Sequence, residues 1–118
     1  MIRRHNEMTV ETASNVKGGK GTIQLTSILN EDEMNGAGSF FGLTVIPPGC
    51  STGEHTHTDD FETYYIISGT AEVNDNGELA VLRAGDMAQC RIGCYHAIRN
   101  VGDTNLEYLA VKLYKKEG

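Results

Sequence analysis

Tryptophan is missing from this 118-residue chain, and aromatic residues of every kind supply only 7% of it. With apolar residues at 39%, the core is expected to be modest and largely aliphatic. Proline is nearly absent as well, two residues against fourteen glycines, which points to many tight turns between short strands. No apolar run approaches the roughly 20 residues of a membrane-spanning helix, so no membrane partner is expected. The opening stretch, MIRRHNEMTVE, has basic residues but no apolar segment behind them, which argues against a secretory signal. Cysteine is too sparse for a disulfide scaffold: Cys50, Cys90 and Cys94 are an odd number, and reduced thiols in a cytoplasmic protein are the simplest account. Nowhere does a helical apolar stripe persist.

Positive charge is scarce where it would matter for nucleic acid. The net charge is −6, and residues 31–103 hold twelve Asp or Glu against Arg83, Arg91 and Arg99. An acidic body repels phosphate backbones, and no basic stripe with interleaved aromatics offsets it. Nucleic acid is excluded as an expected partner.

What is present reads as one domain of short strands. Residues 1–21 are expected to be an N-terminal arm and residues 22–118 a single β-barrel domain. The run Gly18-Gly19-Lys20-Gly21 has neither the spacing nor the preceding strand of a phosphate-binding loop, so it reads as a turn. Strands are expected at Thr22–Leu29, Phe40–Ile46, Glu78–Arg83 and Leu106–Tyr114. Pro47-Pro48 must end the second of these, because neither residue can donate a ladder hydrogen bond. Asn74-Asp75-Asn76-Gly77 is a hairpin signal. The acidic, glycine-rich segment Asn30–Ser39 is expected to be a solvated loop.

The chain is organised around Gly49–Gly69, GCSTGEHTHTDDFETYYIISG. Alternation in a strand puts His55 and His57 on one face, where two imidazoles can bind one divalent ion and Glu62 can add an oxygen. A lone His-x-His is more often a polar strand that shows two histidines to solvent. The second half of the chain shifts that balance, because Gly85–Asn100, GDMAQCRIGCYHAIRN, adds His96 at its own fixed spacing.

Together, G49-x5-H55-x-H57-x4-E62-x6-G69 and G85-x7-G93-x2-H96-x3-N100 resemble the two motifs of the cupin superfamily. The second motif departs once: Arg91 stands where the family usually has proline. The resemblance implies an all-β fold, a double-stranded β-helix or jelly-roll barrel. It also implies one divalent metal ion per chain, Mn, Fe, Ni, Zn or Cu, held by His55, His57, Glu62 and His96. Small single-domain cupins commonly form homodimers, and Thr22–Leu29 with the arm before it is the segment expected to meet the partner.

Three imidazoles and a carboxylate suit a borderline divalent ion and leave positions open for a ligand. If Glu62 faces the interior, Tyr64 and Ile66 share its face, and Tyr64 is the residue expected to touch a substrate. Glu54, Asp59 and Asp60 alternate toward the rim, although one of them could orient a histidine. Cys94 near His96 is read as a small buried hydrophobe, Tyr95 as packing, Arg91 as surface-facing and Asn100 as a turn-fixing residue. Two functions follow. One is a metal-dependent enzyme of dioxygenase, decarboxylase or isomerase type acting on a small oxygen-rich chelating molecule. The other is a non-catalytic small-molecule or sugar-binding module that uses the same pocket.

Overall fold

The computed structural model describes residues 1–117. Ten strands carry almost all of the regular structure: β1 Thr9–Ser14, β2 Thr22–Leu29, β3 Gly38–Ile46, β4 Ser51–Thr56, β5 Asp60–Ser68, β6 Thr70–Asp75, β7 Glu78–Arg83, β8 Met87–Cys90, β9 Tyr95–Asn100 and β10 Leu106–Tyr114. Short 3-10 turns at His5–Glu7, Val16–Gly18 and Glu31–Met34 complete it. The strands pair antiparallel into a six-stranded sheet, β1-β2-β3-β10-β5-β8, and a four-stranded sheet, β4-β9-β6-β7. This is the all-β jelly roll expected from the motifs. Among the described residues no helix is long and apolar enough to cross a membrane.

The core lies between the two sheets. Ile46, Ile66 and Leu106 come from the six-stranded sheet and Ala71, Val73 and Ile98 from the four-stranded one, and none is more than 1% exposed. Each buried Ile or Leu contributes roughly 1.5–3 kcal/mol relative to exposure. On β5 the alternation holds as expected: Glu62, Tyr64 and Ile66 are buried, whereas Tyr65 and Ile67 face outward. The same face that builds the core therefore carries Glu62 into the interior.

Turn residues act where the sequence puts them. β3 ends at Ile46, just before Pro47-Pro48. Asn76 and Gly77, at φ 52° and 98°, make the left-handed two-residue turn that joins β6 to β7. Asn100 is buried, and its amide donates to the carbonyls of Ile46 and Thr104 at 2.8 and 2.7 Å while its oxygen accepts from Gly102 N–H. It fixes the turn after β9, as anticipated.

Two segments differ from expectation. Within residues 1–21, the whole of β1 pairs with β2, from Thr9 opposite Ser27 to Ser14 opposite Thr22. Period is invisible there because β1 is exposed on both faces apart from Ala13. The outer edge of β2 is thus covered by its own chain, and the six-stranded sheet ends instead at β1 and β8. The Asn30–Ser39 segment is also tied down. Met34 is buried, and Glu33 accepts from the Asn30 backbone N–H at 2.7 Å and pairs with Arg3 at 2.7 Å.

Candidate metal centre

The centre is assembled from both sheets. β4 and β9 place His55 directly opposite His96. Thr52 and His55 are three apart, so simple alternation would put them on opposite faces. A break in register between Thr52 and His55 restores the match, and Thr52 is buried while Glu54 is exposed. Gly53 lies within this break, and it lets the 3-10 turn pack over β4, since a Cβ there would collide with the Lys17 carbonyl. His57 lies just beyond β4, so face-sharing within a strand is not what aims it. Its backbone is clamped to the second motif, its N–H donating to Cys94 O at 3.0 Å and its carbonyl accepting from Gly93 N–H at 2.7 Å. Glu62 comes from β5, between Cys90 on β8 and Lys112 on β10.

His55, His57, Glu62 and His96 each present one ligand atom, and these atoms lie within 4.8 Å of one another. His96 Nε2 is 2.9 Å from His55 Nε2, 3.0 Å from His57 Nε2 and 3.0 Å from Glu62 Oε1. A single imidazole nitrogen, with one proton or one lone pair, cannot satisfy three such neighbours at once. Donors bound about 2.1 Å from a shared ion at adjacent octahedral corners would be about 3.0 Å apart. The cluster therefore could hold one metal ion.

The supports of the imidazoles agree with that reading. His55 Nδ1 donates to Gly53 O at 2.8 Å, and His57 Nδ1 faces Asp60 Oδ1 at 2.6 Å. An anchored Nδ1–H leaves Nε2 as the free donor of an electron pair, which is how metal-binding histidines are usually held. Asp60 is thus a histidine-orienting residue as well as a rim residue. Asp59 also lines the opening, whereas Glu54 is exposed and is not part of the lining.

Burial alone would raise the Glu62 carboxyl, but hydrogen bonds from His55, His57 and His96 outweigh it and hold it far below the usual carboxylate range. Hydrogen bonding to Glu62 raises His57 above its ordinary value against the pull of burial, and Asp60 adds to the rise. His96 is lowered, chiefly by burial. The site thus keeps one fixed negative charge and at least one neutral imidazole.

Tyr64 lies where its parity with Glu62 placed it, 3% exposed. Its hydroxyl donates to Glu62 Oε1 at 3.1 Å, and its ring stacks on the His96 imidazole at 5.0 Å and 9°. Burial raises its pKa well above 10, so it remains a phenol. Cys90 sits across from Glu62, and burial pushes its thiol up to about 11, which keeps it a small hydrophobe. Arg91 is exposed, and neither it, Tyr95 nor Cys94 lines the cavity.

A cavity of about 380 Å³ opens over the cluster. Thr44, His55, His57, Glu62, Tyr64 and Tyr108 are on its polar side, and Val16, Ile23, Leu25 and Phe40 on its apolar side. Lys17 and Lys112 also line it. Sequence reasoning passed over Lys112, although alternation along Leu106, Tyr108 and Ala110 on β10 carries the signal.

Comparison with known proteins agrees with this picture. The family described as Cupin domain matches residues 42–112. A Thermotoga maritima protein named oxalate-binding protein is 40% identical over 94% of this chain and 92% of its own length. A Bradyrhizobium protein named 5-nitrosalicylic acid 1,2-dioxygenase is 34% identical over 65% of this chain and 41% of its own. Among solved structures, a Thermotoga maritima protein described as a predicted oxalate decarboxylase superposes with a TM-score of 0.93 at 38% identity, covering 98% of this chain and all of that one.

Proposed function

The chain belongs to the cupin family, and on that premise we propose that it holds one divalent ion at His55, His57, Glu62 and His96 and captures a small oxygen-rich acid there. Oxalate, which chelates through adjacent oxygens, is the first ligand to test. The observation that carries this is the convergence of four donors, three of them buried and His55 half-buried, two with their Nδ1 anchored, beneath an open cavity. A bound ion would supply a Lewis-acidic centre that polarises a ligand oxygen. One carboxylate opposite a doubly charged ion leaves a net positive site, which suits an anion. The chain's own residues do the positioning: Asp60 and the Gly53 carbonyl hold two imidazoles in orientation, and Tyr64 offers a protonated phenol to whatever binds beside Glu62. The name of the 40%-identical relative, oxalate-binding protein, supports a small acid as ligand.

A second reading, turnover of the bound acid, is favoured by Tyr64. Its phenol stays protonated beside Glu62 and can hold or deliver a proton at the ligand. The names of two relatives, a dioxygenase and a predicted oxalate decarboxylase, support it in kind. Metal analysis followed by calorimetry with oxalate, on Mn(II)-loaded and metal-free protein, tests the first reading. We expect one ion per chain, its loss in His57→Ala and in His96→Ala, and oxalate binding only with metal present. Full metal content in the His57→Ala, His96→Ala double variant would sink the assignment. Analysis of the recovered acid, in air and without oxygen, decides the second reading: unchanged oxalate means a binding module, and metal-dependent release of carbon dioxide means an enzyme.

A further inference from the structure

β10 runs from the core to the cavity with Leu106, Tyr108 and Ala110 facing inward, none more than 2% exposed. The same alternation turns Lys112 inward, and it is half-buried in the cavity wall. Its cross-strand neighbours are Glu62 on β5 and Phe40 on β3. The ammonium leans toward β3, with Nζ 6.0 Å from the centre of the Phe40 ring. Among the described residues no carboxylate pairs with it. Of the acids around the cavity, Glu62 is engaged by three histidines and Asp60 by His57, while Asp59 is exposed. The other cation, Lys17, is exposed on its 3-10 turn.

β5 and β3 flank β10, so the strands bearing Glu62 and Phe40 are about 9.5 Å apart. A two-carbon acid held at the His–Glu cluster would leave an ammonium resting on Phe40 without a partner. A longer acid with a second carboxylate would match both charges, and a cavity of about 380 Å³ has room for it. We propose that Lys112 is a specificity-determining residue that holds the far carboxylate of a 2-hydroxy or 2-oxo dicarboxylic acid whose near end occupies the His–Glu site. This rests on the metal-chelation reading above and adds the class of acid to it.

The test uses malate and 2-hydroxybutyrate, which share the hydroxy acid end and differ only in a far carboxylate or methyl. Calorimetry is run on the Mn(II)-loaded protein and on Lys112→Met, which keeps the stem on Phe40, and Lys112→Arg, which keeps the charge. A charge-assisted hydrogen bond predicts that malate binds the unmodified protein at least roughly tenfold tighter than 2-hydroxybutyrate. That gap is expected to close to within about twofold in Lys112→Met and to persist in Lys112→Arg, with metal content unchanged in both. A gap that survives in Lys112→Met, that vanishes in Lys17→Gln instead, or that is absent from the unmodified protein overturns the proposal. Equal binding of both acids with and without Mn(II) would instead defeat the chelation reading beneath it.

Discussion

The Asp60 carboxylate stands 2.6 Å from His57 Nδ1, three residues along the chain, and turns that imidazole so that its other nitrogen meets His96 at 3.0 Å. Removing the charge while keeping the shape tests this relationship. Asp60→Asn is expected to weaken metal binding by roughly 10–100-fold without unfolding the protein. Competition against a metal-sensitive dye gives the affinity, and unchanged affinity would return Asp60 to the rim.

Metal loading is expected to depend on pH through His57. Hydrogen bonding to Glu62 raises this imidazole above 6.5, so an incoming ion must displace its proton. Burial lowers His96, which already presents a lone pair at neutral pH and adds no such cost. Affinity should therefore rise with pH, with its midpoint above 6.5. In the metal-free protein the raised His57 contributes stability that is complete below 6.5 and disappears as pH climbs through its raised value. The thermal shift on adding Mn(II) is thus expected to be larger at pH 8 than at pH 6, and equal shifts would contradict the assignment.

The parity of β5 can be read from stability alone. Ile66 is fully buried and Ile67 is 44% exposed. Ile66→Ala is expected to cost about 2–5 kcal/mol in urea unfolding, and Ile67→Ala about 1 kcal/mol or less. Comparable losses at both positions would mean that the face carrying Glu62 and Tyr64 has been misassigned.

If the chain forms a homodimer, the interface is expected at the outer edge of β1, which no strand among the described residues covers on the side away from β2. Protein lacking residues 1–14 keeps β2 and β3 intact as a pair, so light scattering can read its mass directly. A shift to monomer mass supports the edge as the interface. A dimer that survives the truncation excludes it.

The sequence by itself determined many of the strands, though not β1, and the identity of the four clustered side chains. Proline at 47 and 48 removes ladder donors, Asn76-Gly77 accepts left-handed backbone, and the period of two along β5 assigns Glu62, Tyr64 and Ile66 to one face. These are local rules, each acting over a few residues. The two histidine motifs were legible because their spacings are themselves local.

Tertiary structure decided everything that depends on register between strands or on distant segments meeting. Only the break between Thr52 and His55, a stretch that holds Gly53 under the Lys17 turn, reconciles Thr52 and His55 facing the same interior. Only the backbone clamp to Gly93 and Cys94 aims His57, because it lies past the end of its strand. Asp60 looks like one more rim acid until its oxygen is found on His57, and Lys112, turned inward by the alternation of its strand, acquires its neighbours only when β10 is placed between β3 and β5. A side chain's neighbours across a sheet are separated from it by tens of residues of chain, so no local period encodes which of them it will face.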